Sequence, residues 1–401
     1  MKLVYLADTQ IPSRATNGMQ IMRMCGALAS TGTHVTLVHP HRFGNKPEGF
    51  NGDLWSFYGV PKSFRVMALP SPLTLGLSQR RRFARAARGL PLGFFILWSS
   101  RPGPRPFVFY CRSMLGAWLA TQAKRMWGSR SSCCGVFLEL HDAPATKRAW
   151  DLLQRVDGIV TNTDALRAHI CGQIPIPAAL IITARNGVDL QQFHVNSASI
   201  RREARARLQL QDETTVVGYS GRVNIEKGAP TILEAAALLK HRPVRFLLVG
   251  KVYDDIAARA APLPAVTLIG FVPPAEVPAW IAAADILVMP TSAHIDYADF
   301  TCPLKLFEYM ASGRPVLCSD LPVLKEVVTN EVNALLFRPD DAKSLAAGIE
   351  RLRSNRSLAA SLARAARSDA AHYTWERRAE LVAAFVADSG VLSNRRLARS
   401  P

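Results

Sequence analysis

The 401-residue sequence lacks any apolar run long enough to cross a membrane. A spanning helix needs about 20 largely apolar residues, whereas the longest candidate here is the short stretch LPLGFFILW at 90–98. The N-terminal stretch MKLVYLADTQIPS does not fit a signal peptide, because Asp8 interrupts its short apolar run. Both absences favour a cytoplasmic protein.

The cysteines of the sequence also form no recognisable motif. Its seven cysteines are odd in number and irregularly spaced, which argues against a disulfide framework. Cys133 and Cys134 are adjacent, but no second pair completes a metal-binding set. The cysteines therefore indicate no metal site.

Acidic residues are scarce relative to basic ones. The chain has 31 Asp and Glu against 49 Lys and Arg, a formal net charge of +18. Such a charge attracts an anionic partner: a nucleotide, a nucleic acid or a membrane surface. No recognised nucleic-acid module is present, so we expect no nucleic-acid partner.

The densest basic run precedes the apolar stretch at 90–98. This run, RRRFARAAR, contains Arg80, Arg81, Arg82, Arg85 and Arg88. A basic stretch followed by Leu, Phe and Trp is typical of an interfacial anchor, so residues 80–98 predict attachment to the inner face of an anionic membrane. The alternative is a solvated helix face followed by an ordinary buried segment.

Short apolar runs alternate with helix-like stretches along the whole chain. Alternating strands and helices specify an α/β protein with parallel sheets covered on both faces. Strands are predicted at KLVYLAD, HVTLVHP, RPFVFYCRS, CGVFLELHD and DGIVTNT, and then at TTVVGYSGRV, VRFLLVGK, AVTLIGFV, DILVMPT and PVLCSD.

A polar, turn-rich stretch, ARNGVDLQQFHV at 184–195, separates the two series of strands. We therefore expect one domain over residues 1–190 and a second over 191–374. An amphipathic helix and a basic tail follow at 375–401 and are expected to return to the first domain.

The stretch FTCPLKLFEYMASGRPVLCSD, at 300–320, predicts a helix with marked ends. Pro303 suits the first helical position, where its missing N–H is not needed. Gly313 suits a left-handed C-cap. Backbone N–H groups exposed at this helix start, beside Lys305, form a candidate anion site.

A second candidate phosphate site lies in GYSGRVNIEKGAP. Gly218 and Gly221 allow a tight turn at the end of a strand. Arg222 and Lys227 follow just before a helix that starts near Pro230, an arrangement that suits a diphosphate. The alternative is a solvent-facing basic loop. The spacing is not that of a P-loop.

Together with RNGVDLQQF, LIGFVPPAEVPAWIAAADILVMPTS, LKEVV and YTWERRA, these motifs resemble retaining glycosyltransferases of the GT-B fold, in particular glycosyltransferase family 4. The N-terminal half matches through Asn17-Gly18 and ELHD. The resemblance implies two Rossmann-like, doubly wound parallel-sheet domains facing each other across a cleft. It also implies transfer of a sugar, with retention of configuration, from a UDP- or GDP-linked donor to a glycan or lipid-linked acceptor.

The resemblance further implies a reaction that needs neither a metal ion nor a bound cofactor, and the sequence has no D-x-D pair of the metal-dependent GT-A type. Cell-surface polysaccharide or glycolipid synthesis is the expected setting. An alternative of a different kind is a nucleotide-sugar epimerase of the same fold.

Site residues follow from the same resemblance. The expected diphosphate contacts are Gly18, Gly221, Arg222, Lys227, Pro303, Leu304 and Lys305. Glu308 is expected to bind the ribose, and Gly270, Phe271 and Val272 to pack on the nucleobase. His141 and Asp142 are expected beside the transferred sugar as positioning and electrostatic residues, with His141 also near the acceptor; the alternative is a capped strand end with a satisfied histidine. Arg112, which ends the predicted strand FVFYCRS, is a candidate contact for the acceptor or a phosphate on the strength of that position, and the alternative for it is a structural role. Phe300 stands where the family has a glutamate, so either the adjacent Asp299 replaces that carboxylate or the sugar is held through the backbone and Lys305.

Overall fold

The computed structural model describes residues 1–13, 15–41, 47, 50–70, 81–193, 198–211, 213–295 and 298–391, with only the backbone for 81–89, 198 and 254. The strands in this part of the chain are β1 (Lys2–Leu6), β2 (His34–His41), β3 (Arg65–Pro70), β4 (Phe107–Cys111), β5 (Cys133–Leu140), β6 (Gly158–Thr161), β7 (Ile181–Thr183), β8 (Thr215–Ser220), β9 (Val244–Val249), β10 (Val266–Gly270), β11 (Ile286–Met289), β12 (Val316–Ser319) and β13 (Leu335–Phe337).

The α-helices of the same residues are α1 (Thr16–Ser30), α2 (Leu54–Tyr58), α3 (Arg81–Ser100), α4 (Met114–Trp127), α5 (Lys147–Leu153), α6 (Asp164–Gln173), α7 (Ala198–Arg207), α8 (Ala229–Leu238), α9 (Asp254–Ala260), α10 (Val277–Ile281), α11 (Leu304–Ser312), α12 (Ala342–Ser354), α13 (Arg356–Ala370) and α14 (Trp375–Asp388). No helix in the described residues is both long and apolar enough to span a membrane.

The chain divides into two compact units. The first contains the residues up to Arg185 and those from Trp375 onward, and the second runs from Asn186 to Thr374. Helix α14 follows the second unit in sequence but packs against α1 in the first. The unit boundary therefore lies a few residues before the predicted position at 190.

The first unit contains a parallel sheet with strand order β3-β2-β1-β4-β5-β6-β7. Its central strands are continuous apolar runs, and β4, FVFYC, is buried at every residue. The strand order reverses between β1 and β4, which is where ligands of open α/β sheets bind, beyond the carboxyl ends of the strands. Arg112, His141 and Asn162 follow β4, β5 and β6 at that edge.

The second unit repeats the arrangement, with strand order β10-β9-β8-β11-β12-β13 and all described pairings parallel. Its reversal lies between β8 and β11. A Cβ added at Gly218 in β8 would lie 2.7 Å from the Cβ of Ala284, so this glycine permits close packing in the sheet. The prediction of two parallel-sheet α/β domains is confirmed.

The helix predicted to begin at Pro303 begins one residue later. Pro303 is extended, with φ −75° and ψ 127°, and occupies the cap position, whereas α11 starts at Leu304. The predicted first helical position of Pro303 is therefore wrong by one residue, because its ψ is that of the preceding loop. Gly313 ends α11 in the left-handed conformation, with φ 69° and ψ 25°, as expected.

Candidate active site

The end of β8 and the start of α11 bring an aromatic ring and a lysine together in the second unit. Lys305 Nζ donates a hydrogen bond to Tyr219 Oη at 2.8 Å and lies 4.0 Å from the centre of that ring. The Tyr219 hydroxyl in turn donates to the backbone carbonyl of Arg222 at 2.8 Å. The lysine of α11 is thus connected through Tyr219 to the loop that follows β8.

Arg222, Lys227 and Lys305 form what we call the cation cluster. Burial, with Arg222 next in effect, lowers the pKa of Lys227 to about 8. Burial and then the charge of Lys227 hold the pKa of Lys305 well below its usual range, although Glu308 opposes the shift. The guanidinium of Arg222 is half-exposed, and its ion pair with Glu226 spans 4.0 Å. Because the three cations repel one another, the cluster favours a polyvalent anion.

Three glycines hold the strand ends close together beside this cluster. Gly221, Gly250 and Gly270 all have positive φ, at 127°, 140° and 80°. The N–H of Gly250 donates to the carbonyl of Gly270 at 2.7 Å, and that of Gly221 donates to Val249 at 2.8 Å. A Cβ at Gly221 would lie 2.5 Å from Lys305 Nζ, so glycine at this position is required for the lysine to reach Tyr219.

Two further contacts, which the sequence motifs did not reveal, position α11. The backbone N–H of Ser220 donates to Tyr309 Oη at 2.7 Å, so the helix is attached to the end of β8. Asn186 donates from Nδ2 to the carbonyl of Cys302 at 2.6 Å, immediately before the Pro303 cap. The stretch RNGVD therefore stabilises the start of the helix, and Tyr309 and Asn186 are supporting residues of this site.

The remaining residues predicted to bind the donor lie in the same unit, except Gly18, which lies on α1 in the first unit. Glu308 is partly buried on α11, one turn after Lys305, and its charge acts on both Lys305 and Tyr309. Phe271 and Val272 are partly buried in the loop after β10. Asp299 is exposed in the 3-10 turn Ala298–Phe300.

In the first unit, His141 is held between a carboxylate and an amide. Its Nε2 lies 2.5 Å from Glu139 Oε1, and Asn162 Nδ2 lies 3.2 Å from its Nδ1. Because the amide donates to Nδ1, the ring proton is on Nε2 and points to Glu139. Both ring nitrogens are therefore occupied within this unit.

Glu139 is buried and, besides His141, has partners on two other elements, β4 and α14. Its Oε2 accepts a hydrogen bond from the Tyr110 hydroxyl of β4 at 2.6 Å, and Oε1 lies 3.1 Å from a guanidinium nitrogen of Arg378 in α14. Burial alone would raise the pKa of Glu139, but Arg378, the bond from His141 and the charge of Arg112 together hold it well below the usual range.

His141 is uncharged near neutral pH. Burial, and next the cation of Arg112, lowers the pKa of His141 to about 4, although the bond to Glu139 opposes the shift. Neither Glu139 nor Arg378 was among the predicted site residues. The glutamate of the ELHD motif, two residues before His141 on the same strand face, is the signal that could have indicated Glu139.

Arg112 and Gly18 meet at the first turn of α1. Arg112 donates to the carbonyl of Asn17 at 3.4 Å and to the side-chain oxygen of Gln20. A Cβ at Gly18 would lie 2.9 Å from the Tyr58 hydroxyl, so the glycine permits a close approach at this turn. Asp142, by contrast, is exposed, and its carboxylate accepts the N–H of Ala143 at 2.9 Å.

The predicted residues thus fall into two sets. One set lies in the second unit, which contains the cation cluster, and the other lies in the first unit, which contains His141 and Arg112. No group of three or more His, Cys, Asp or Glu side chains suited to a metal ion occurs in the part of the chain that the structure describes.

A protein family and several individual proteins are similar to this chain in sequence. Residues 214–355 match the family Glycosyl transferases group 1. The chain is 27% identical over 256 residues to a D-inositol 3-phosphate glycosyltransferase from Corynebacterium urealyticum, which covers 60% of this chain and 59% of that protein. It is 27% identical over 207 residues to the 2-deoxystreptamine glucosyltransferase of Streptomyces kanamyceticus, at 50% and 52% coverage. The chain therefore spans little more than half the length of these curated relatives.

Among solved structures, HepE from Anabaena, in complex with UDP and glucose, is similar with a TM-score of 0.72 at 18% identity. The similarity covers 97% of this chain and 100% of HepE. At this identity the likeness establishes the fold, and it confirms the GT-B architecture expected from the motifs. The chain therefore has the GT-B fold, and residues 214–355 of its second unit are similar in sequence to the family Glycosyl transferases group 1.

Proposed function

We propose that the protein is a glycosyltransferase that transfers a sugar from a nucleoside-diphosphate sugar to an acceptor. The cation cluster is the observation that carries this proposal, because three mutually repelling cations beside a helix start suit a diphosphate. HepE was crystallised with UDP and glucose and also with UDP-glucose, which favours a UDP-linked donor here.

The chemistry that we propose needs charge neutralisation more than a reactive side chain. The bond from the sugar to the diphosphate breaks, and the resulting negative charge is stabilised by the cation cluster and by the N–H groups at the first turn of α11. The acceptor oxygen bonds to the sugar from the same face, with retention of configuration, and a departing phosphate oxygen takes its proton. The step requires neither a protein nucleophile nor a metal ion.

The residues of the first unit act by positioning in this proposal. His141 is uncharged at neutral pH and has both ring nitrogens engaged, so it orients its neighbours and is not the general base. Arg112 is the proposed contact for the acceptor, and the exposed Asp142 lies on the loop that follows His141.

Titration with nucleotides tests the donor site directly. We expect UDP to bind the purified chain, and Lys305→Ala and the double variant R222A/K227A each to lose roughly 10²-fold or more in turnover, as when one electrostatic stabiliser is removed. Arg351→Ala is the matched control, because it removes an exposed cation, paired with Glu331 at 2.8 Å, from the same unit. Control and cluster variants with equal activity would contradict the assignment.

The products distinguish transfer from the epimerase alternative. We expect the chain to release UDP only when a nucleotide sugar and an acceptor are both supplied, and a first acceptor panel should include D-inositol 3-phosphate, the acceptor named for one relative. Formation of an epimer from the nucleotide sugar alone would overturn the transferase proposal.

We also propose that α3 and α4 attach the protein to an anionic membrane surface, where a lipid-linked acceptor would be found. The helices pack against each other, and both expose large apolar side chains: Leu90, Phe94, Leu97 and Trp98 on α3, and Leu115, Trp118 and Met126 on α4. Phe94 is 72% exposed, so the alternative interpretation of 90–98 as an ordinary buried segment does not fit this face.

Charge supports a lipid partner for these helices. The sequence of the first half of α3 carries Arg81, Arg82, Arg85 and Arg88, which anionic headgroups would attract. The side chains of these arginines, and Arg80, lie outside the described residues. The guanidinium of Arg101 stacks 4.5 Å from the centre of the Trp98 ring at the other end of α3.

Vesicle sedimentation tests the membrane proposal. We expect binding to anionic vesicles, weak binding to neutral ones, and a clear loss of binding for F94S/W98S. Leu238→Ser is the matched control, because Leu238 is 53% exposed but lies on α8 in the second unit. Equal binding to anionic and neutral vesicles would contradict the proposal.

A further inference from the structure

The C-terminal helix contributes one charged side chain to the interior of the first unit. Arg378 in α14 has a side chain that is only 2% exposed. One guanidinium nitrogen lies 3.1 Å from Glu139 Oε1, and another lies 3.7 Å from the sulfur of Met24 in α1. A buried ion pair of this kind is seldom the most stable solution, because apolar side chains of similar volume are often at least as stabilising.

The ion pair is continuous with His141. Glu139 Oε1, which faces Arg378, is also the atom that receives the Nε2 proton of His141. Glu139 Oε2 is occupied by the Tyr110 hydroxyl. The orientation and the protonation state of the imidazole therefore depend on a carboxylate that only stays ionised while a cation faces it.

We propose that Arg378 is a positioning residue for His141: it keeps Glu139 ionised, so that the carboxylate holds the Nε2 proton and Nδ1 remains free of a proton to accept the Asn162 amide. The inference rests on the proposed function only in taking His141 as a participant in transfer. The role of Arg378 itself is a property of the folded first unit.

Replacing Arg378 by an uncharged residue should favour the protonated form of His141. The charged and titratable groups that act here are Glu139 on β5, Tyr110 and Arg112 at β4, Tyr5 on β1, Cys25 on α1 and Arg378 on α14. Without Arg378, the buried carboxylate has lost its strongest compensating charge. A protonated His141 then becomes its counter-ion, and its Nδ1 turns from acceptor to donor against Asn162.

Ring-carbon NMR of histidine-labelled full-length protein measures this directly, with His141→Gln identifying the signal. We expect His141 to stay neutral from pH 8 to pH 5 in the wild type. Its titration midpoint should rise by about one unit or more in Arg378→Met, the size of shift that a nearby charge causes. R378M/E139Q should return to a low midpoint, because the carboxylate that favours the charged ring is gone.

Arg377→Met is the matched control, because Arg377 precedes Arg378 on the same helix but is exposed. Arg378→Gln loses the charge but keeps a hydrogen-bond donor for Glu139. If Arg378→Met does not fold, the His141 titration midpoint is measured in Arg378→Gln instead. An unchanged His141 midpoint in a folded Arg378 variant overturns the inference.

Measuring the turnover of these variants distinguishes a failure of this inference from a failure of the proposed function. If both hold, turnover of Arg378→Met falls about tenfold for each pH unit below the new midpoint, while Arg377→Met follows the wild type. A shifted midpoint with an unshifted pH profile of turnover supports the positioning of His141 by Arg378, and it removes His141 from the transfer step.

Discussion

Replacing Gly221 by alanine perturbs the cation cluster through a single methyl group. The new Cβ would lie 2.5 Å from Lys305 Nζ and 3.1 Å from Lys305 Cε, well inside the roughly 3.5 Å at which such atoms pack. The lysine side chain is flexible and would move aside. In moving, its ammonium group gives up the 2.8 Å hydrogen bond to Tyr219.

The substitution is expected to lower two quantities that can be measured separately: the stability of the protein and its affinity for the nucleotide. Gly221 has a φ of 127°, where a side chain costs about 1–3 kcal/mol of backbone strain, and this part lowers the stability of the protein. Displacement of Lys305 forfeits its hydrogen bond to Tyr219, worth about 1.5–3 kcal/mol when bound UDP keeps the ammonium group charged. If the bond serves to aim the ammonium at the diphosphate, nucleotide affinity falls about 10- to 100-fold.

Calorimetric titration with UDP, beside thermal unfolding, tests both parts. Gly32→Ala is the control, because Gly32 also has a positive φ, 79°, but an added Cβ meets nothing within 4 Å. We expect both variants to lose stability and only Gly221→Ala to lose affinity. In a Lys305→Met background, Gly221→Ala should cost no further affinity. Wild-type affinity in Gly221→Ala would refute the reasoning.

Three further predictions concern the second unit. Burial lowers the pKa of Lys227 to about 8 and holds the pKa of Lys305 well below its usual range. Because UDP favours the charged form of both lysines, binding at pH 8 should take up protons, and affinity should fall as the pH rises; calorimetry in buffers of different ionisation enthalpy measures the proton uptake, and an uptake of zero would contradict the prediction. Asn186→Ala should lose about 1 kcal/mol of stability and several-fold in nucleotide affinity through its bond at the start of α11; unchanged affinity would separate this bond from the donor site. Asp285→Ala should cost about 3–5 kcal/mol in urea unfolding, because it leaves buried Arg205 without its 3.2 Å partner; a loss below 1 kcal/mol would mean that water reaches that guanidinium.

The site could be predicted from the sequence where its parts are close neighbours in the chain. The strand, glycine turn and basic loop at Gly218 to Lys227, and the helix from Leu304 to Gly313, are contiguous stretches. Glycine, proline and apolar periodicity specify their backbone locally. The Pro303 cap was misplaced by one residue, because sequence alone does not distinguish a proline with helical ψ from one with extended ψ.

The strands that were missed are short or lie at or near sheet edges. Strands β7 and β13 have three residues each, too few for a periodic pattern, and β3 is exposed at most of its residues. Such segments form strands because a neighbouring strand offers hydrogen-bond partners. The local amino-acid sequence of the segment does not reveal that neighbour. The boundary between the units was predicted only approximately, since turn-rich composition extends over a dozen residues.

Sequence patterns suffice to predict the class of fold and the candidate donor motifs, because alternating apolar runs and turn residues act over short distances along the chain. Which side chains support those motifs depends on tertiary packing. Asn186 meets Cys302 across 116 positions, Lys305 meets Tyr219 across 86, and Arg378 of the last helix reaches Glu139 beside His141. Those contacts depend on which strand ends and helices share one buried space, and that is settled by packing of the whole unit.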